Sequence, residues 1–195
     1  FHPGAMDEAH RNRVSDAQGI TIGIVAPDGK QGMIEHAEQF VAADIPFLFD
    51  PGQGLPMFNE AELLAFIEQA TWVVVNDYES KLLQERTELS AGEIADRVEG
   101  LIVTRGARGS VIYTRDGRVE VPVVKAQTVA DPTGCGDAYR AGLLYSLMND
   151  FDWKTTGRVA SLLGSLKVGS HGTQNHRFEV QEFHDRFVEA FGYSF

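Results

Sequence analysis

The chain has 195 residues, 43% of them hydrophobic and 23% charged, which is enough for one sizeable core and ordinary for a globular protein. Its formal net charge of −11 disfavours a nucleic-acid backbone or an anionic membrane as main partner, since both repel an acidic surface, but leaves room for a small anion in a local amide-rich pocket. One cysteine, Cys135, excludes an internal disulfide and suits a reducing cytoplasm; no secretory pattern opens the chain, and no apolar run reaches the roughly 20 residues that span a bilayer.

Residues 1–10, FHPGAMDEAH, read as loop, as though from the middle of a longer protein. ITIGIVAP (20–27) is an apolar β-branched run and predicts a buried strand. Residues 29–45 follow with Met33, Ala37, Phe40 and Val41 on one helical face. PFLFDP (46–51) predicts the next strand, stopped by Pro-Gly. Asn59 with Glu62 three residues on predicts a capping box, ahead of a stripe of Leu63, Phe66, Ile67 and Ala70. TWVVVND (71–77) predicts a strand, and Ser90 with Glu93 a second capping box on a helix running to near Gly100. Residues 101–124 read as strands broken by glycine turns, with an Asp-Gly hairpin signal at 115–118. A helix is expected over about 159–168, a polar loop, GSHGTQNH, over 169–176, and a closing amphipathic helix carrying Val180, Phe183, Phe187 and Phe191. Strand–helix alternation in the first hundred residues implies βαβ units: a mainly parallel sheet with helices on both faces, in a single α/β domain over residues 1–195.

The stretch ADPTGCGDAYRAGLLYSL (130–147) carries the chemistry. Gly134 and Gly136 let backbone N–H groups approach a ligand without an intervening Cβ. A helix beginning there leaves its first N–H groups unpaired, with the helix dipole behind them: a nest for an anion, phosphate above all. Asp137 should repel phosphate, unless it accepts the proton of a hydroxyl attacking that phosphate. The plain alternative is that Asp137 only complements the helix dipole, and the glycines only make a tight loop.

DPTGCGDAYRAGLL closely resembles the C-terminal signature of the ribokinase-type (phosphofructokinase B-type) carbohydrate and nucleoside kinases. Two further motifs stand in the family's order: VVVNDYES resembles its Asn-x-x-Glu motif through Asn76 and Glu79, and VTRGARGSVIY its nucleotide-site strand through Thr104, Gly106 and Gly109. The resemblance implies a three-layer ribokinase-like fold. It also implies that this chain corresponds to the C-terminal two-thirds of such a kinase, with the N-terminal strands and lid outside it. By the resemblance, Asp137 is the catalytic base and Gly134, Cys135 and Gly136 form the anion hole. Asn76 and Glu79 organise Mg²⁺ and its waters, Thr104, Gly106 and Gly109 contact the nucleotide, and Asp131 and Thr133 hold a monovalent cation such as K⁺. Cys135 stands where the family usually has alanine. Arg140, and GTQ at 172–174, look like the adenosine-kinase branch. The implied reaction is phosphoryl transfer from ATP to a primary hydroxyl of adenosine or a ribose-type sugar, in a cytoplasmic enzyme that forms a homodimer through its lid.

Each motif also has a plain structural meaning. Asn76 and Glu79 are what a strand end and helix cap require, TRGARG what a turn between strands requires, and Arg105 and Arg108 are either solvated charges or guanidinium forks that reach phosphate. Arg140, one turn after Asp137, reaches either a phosphate oxygen or a surface carboxylate. Cys135 as a nucleophile lacks a neighbouring histidine, and a space-filling role suits it better. His2, His10, His36, His171, His176 and His184 are scattered, and only His171 and His176 share a loop. No Gly-x-x-x-x-Gly-Lys-Ser/Thr motif occurs, which disfavours a P-loop kinase. A non-catalytic nucleotide- or sugar-binding module of the same fold is the alternative to the enzyme.

Overall fold

The computed structural model describes residues 4–195. His2 therefore lies outside the described residues, as does the start of the segment read as loop. Among the described residues, six strands form a sheet in the order β1-β2-β3-β4-β5-β6: β1 Gly23–Val25, β2 Phe47–Phe49, β3 Trp72–Asn76, β4 Gly100–Thr104, β5 Ser110–Thr114 and β6 Gly117–Val121. The pairs β1–β2, β2–β3 and β3–β4 are parallel. Seven α-helices accompany them among the described residues: α1 Lys30–Ala42, α2 Glu60–Gln69, α3 Asp77–Thr87, α4 Ala91–Ala95, α5 Cys135–Met148, α6 Trp153–Val168 and α7 Val180–Phe191. No described helix is long and apolar enough to cross a membrane. The contacts group into two compact units, one running to Thr104 and taking in Tyr113–Arg118, the other comprising Arg105–Ile112 and Val119–Phe195.

In the first unit, short apolar strands alternate with helices that bury one stripe each. Met33, Ala37 and Phe40 of α1, Phe47 and Phe49 of β2, Leu63, Phe66 and Ile67 of α2, and Val73 and Val75 of β3 share one core. Phe49 stacks on Phe66 at 4.3 Å between ring centroids. A buried ring contributes about 1.5–3 kcal/mol over an exposed one, so this aromatic layer is a main holding element. Three capping boxes on the α-helices of this unit form: Asn59 with Glu62, Asn76 with Glu79, and Ser90 with Glu93 each exchange side-chain and backbone hydrogen bonds.

The expectations need correction at several points. Residues 4–11 are not loop but a 3-10 helix, close enough to α1 that a Cβ on Gly32 would lie 2.8 Å from that of Ala9. Val41 falls at the edge of the α1 stripe and is 51% exposed. The helix after Ser90 is one short turn-pair ending at Ala95, and Gly100 opens β4 instead of closing that helix.

In the second unit, α6 starts six residues earlier than expected. Asp152 caps it by accepting from the N–H groups of Lys154 and Thr155, at 2.9 and 3.0 Å, which offsets the weak helix propensity of Thr155, Thr156 and Gly157. Val159 and Leu162 of α6 pack with Phe183 and Phe187 of α7. Helix α5 lies close against α6: a Cβ on Gly142 would come within 2.6 Å of the Ala160 Cα.

Candidate active site

Gly134 is the N-cap of α5 and adopts φ 83°, ψ 1°, a left-handed conformation that glycine takes without strain. The Cys135 N–H turns back to the Pro132 carbonyl at 3.1 Å, and the first regular helical bond is Ala138 N–H to the Gly134 carbonyl. Among the described residues, no hydrogen bond engages the N–H groups of Gly136 and Asp137. These are the open donors that a helix start leaves. Asp137 stands in the same first turn with its side chain exposed. The Arg140 guanidinium folds back over the turn: its Nη1 lies 2.6 Å from where a Cβ on Gly136 would be. Two amides, a carboxylate and a guanidinium thus meet at one helix end.

Behind this cradle, Asp131 ties two loops together. Its carboxylate accepts from the N–H of Thr133 at 2.9 Å and from the N–H of Gly172 at 2.9 Å. Those bonds, Thr133 first, hold its pKa well below the usual carboxylate range. The Asp131 carbonyl accepts from the Lys167 ammonium at 2.7 Å, and the Ser170 carbonyl from the same ammonium at 3.1 Å. Burial pushes the Cys135 thiol up, so it stays a neutral space-filler at neutral pH, against a nucleophile's role. On the next turn, the buried Tyr139 hydroxyl bonds Ser110 at 2.7 Å and anchors α5 to the start of β5; burial pushes its pKa up to about 12.

The pfkB family carbohydrate kinase pattern matches residues 11–179. The chain belongs to that family. This pfkB chain has the ribokinase-like fold, and it superposes on the Burkholderia thailandensis nucleoside kinase solved in complex with inosine with a TM-score of 0.97, at 52% identity, covering 100% of this chain and 64% of that one. That kinase has also been solved in complex with ADP and inosine. The Methanocaldococcus jannaschii nucleoside kinase, an archaeal ribokinase-family member, superposes with a TM-score of 0.89 at 29% identity over 95% of this chain and 61% of that one. In sequence, the nucleoside kinase of that archaeon is 38% identical over 128 residues, 66% of this chain. The chain spans 42% of the length of that curated relative and 47% of a Methanothermobacter thermautotrophicus nucleoside kinase.

The remaining pfkB motif residues divide between the two units. In the first, Asn76 closes β3 and stands in register with Thr104, the last residue of β4, so both lie at carboxyl ends of parallel strands, where α/β sheets take ligands. Asn76 Oδ1 accepts from the Glu79 N–H and Glu79 Oε2 from the Asn76 N–H, both at 2.8 Å. The capping reading of this pair is therefore what the geometry displays. The other carboxylate oxygen carries no hydrogen bond among the described residues, which fits a hydrated Mg²⁺ held through water. No cluster of three or more His, Cys, Asp or Glu that would cage a metal directly occurs among the described residues, so His171 and His176 gain no further ligand.

In the second unit, Gly106 has φ 56° with open space where a Cβ would go. Gly109 is packing-determined: its Cβ would meet the Val121 carbonyl oxygen at 2.1 Å. Arg105 bonds the exposed Glu120 carboxylate at 2.6 Å. A cleft of about 590 Å³, lined by Lys125, Thr128, Leu166, Arg177 and Phe191 among others, includes none of residues 134–137.

The monovalent cation expected at Asp131 and Thr133 does not fit the donors present. Both Asp131 carboxylate oxygens accept backbone N–H groups, and its carbonyl already carries an ammonium. Sequence reading passed over that ammonium. Its one local signal was a lysine at 167 seven residues after the buried Ala160, two helical turns along the same face of α6.

Proposed function

We propose that this protein transfers the γ-phosphoryl group of ATP to the primary hydroxyl of a nucleoside, inosine and adenosine first, with ribose-type sugars as the wider class. The observation that carries the proposal is the pair of unbonded amides at Gly136 and Asp137 beside the exposed Asp137 carboxylate. The nucleoside assignment draws on the likeness to the Burkholderia thailandensis kinase, whose complexes hold inosine and ADP.

In this reading, Asp137 takes the hydroxyl proton as that oxygen bonds to the γ-phosphorus, and the bond from the γ-phosphorus to the β-phosphate oxygen breaks to release ADP. The amides of Gly136 and Asp137 hold the charge that builds on the equatorial oxygens, and Arg140 lies close enough to Gly136 to add to it. Cys135 differs from the role expected of it: its N–H is spent on Pro132, so it contributes size and not a donor. Gly134 contributes the left-handed turn that exposes the next amides. Thr104, Gly106 and Gly109 shape the nucleotide side. Mg²⁺, when bound, neutralises phosphate charge, and Glu79, oriented by Asn76, is the residue to hold its water shell. A single cysteine suits a reducing compartment such as the cytoplasm.

The test is product identification by mass spectrometry after incubating the protein with Mg-ATP and inosine, adenosine, ribose and common hexoses. Asp137→Asn should keep the unfolding temperature and ATP binding while lowering turnover by a factor of ~10² or more. Near-normal turnover in that variant would remove Asp137 from the mechanism. Binding without any phosphorylated product from the unaltered protein would favour a non-catalytic binding module.

A further inference from the structure

Lys167 is fully buried, at 0% exposure, near the C-terminal end of α6. A buried ammonium is costly unless its protons meet acceptors. Here the acceptors are two main-chain carbonyls from different loops, Asp131 before the cradle and Ser170 after α6. Carbonyls converging on one positive charge are what a dehydrated monovalent cation also demands. The Asp131 carboxylate adds a negative charge to the same surroundings while remaining bonded to Thr133 and Gly172. The chain thus builds a seat for one monovalent positive charge behind the α5 amides and fills it with its own side chain.

We infer that the Lys167 ammonium takes the place of a monovalent cation behind the anion cradle, so that this protein neither binds nor needs K⁺ there. Lys167 is a positioning residue. It fixes Asp131 and Ser170, and through them the loops at 131–134 and 170–173 that set the direction of the α5 amides. The inference rests on the kinase reading only for the ion it excludes. Its test reads folding stability, which an inactive protein would report equally well.

Thermal unfolding is followed across a titration of KCl against choline chloride at matched ionic strength. An ion bound only by the native state raises the unfolding temperature with concentration. The unaltered protein should show no K⁺-specific shift. Lys167→Ala leaves the carbonyls without a donor and opens space. It should unfold at a lower temperature and recover part of the loss with K⁺ or NH₄⁺ but not with choline. A side chain that merely clamped loops would give no ion-selective recovery. The inference is overturned if K⁺ raises the unfolding temperature of the unaltered protein saturably, or if folded Lys167→Ala is indifferent to every ion. Should Lys167→Ala not fold, the titration of the unaltered protein decides alone.

Discussion

Replacing Gly134 by alanine separates backbone strain from crowding at the cradle. Position 134 has φ 83°, where an L-residue costs about 1–2 kcal/mol over glycine. The new Cβ would also lie 3.0 Å from the Thr173 carbonyl oxygen and 3.1 Å from the Thr173 Cα, closer than ordinary van der Waals contact. Thr173 cannot withdraw freely, because the preceding residue donates its N–H to the Asp131 carboxylate. Crowding of this kind adds roughly 1–2 kcal/mol. The expected total is about 2–4 kcal/mol. At about 2–4 °C per kcal/mol for a chain of this size, that lowers the unfolding temperature by roughly 4–16 °C. Gly106→Ala is the matched control: φ is 56°, yet nothing lies within 4 Å of its Cβ, so only the conformational cost of about 1–2 kcal/mol applies. Urea and thermal unfolding of both variants measure the difference. If Gly134→Ala is no worse than Gly106→Ala, Thr173 does not back the cradle and the crowding argument fails.

Asp131→Asn replaces an acceptor by an NH₂ that faces either the Thr133 or the Gly172 N–H. Because the folded-state pKa of Asp131 is depressed, its stabilisation is complete above the ordinary carboxylate pKa and is lost as pH falls through the depressed folded value. The variant should therefore unfold at a lower temperature at neutral pH, with a deficit that is flat above about pH 5 and closes in strong acid; a deficit that grows on acidification would contradict the assignment. The Cys135 thiol, raised by burial, should react slowly with iodoacetamide at neutral pH and speed up as pH rises past the ordinary thiol range. Fast labelling at neutral pH would mean an exposed, activated thiolate.

What was legible in the sequence was local, and what was not was distant along the chain. Asn59 and Glu62, and Ser90 and Glu93, each satisfy one another within a single turn, so a three-residue spacing was enough to place two helix starts, and Asn76 and Glu79, whose cap was the plain reading of that motif, do the same. The α6 start was hidden because its cap, Asp152, is followed by Thr155, Thr156 and Gly157, residues whose propensity argues against the helix they enter. The cradle's glycines and Asp137 were legible for the same reason as the caps: they lie within four residues of each other. Their support was not. Lys167 reaches Asp131 across 36 residues and Gly172 reaches it across 41, and no periodicity in one segment specifies a partner in another. The external cation at Asp131 and Thr133 was what the family resemblance implied for that loop, and those two residues carry no sign of a lysine 36 residues away. With α6 beside that loop, the positive charge is already covalently part of the chain, and Asp131 becomes the acceptor that joins an internal cation to the backbone directing the α5 amides.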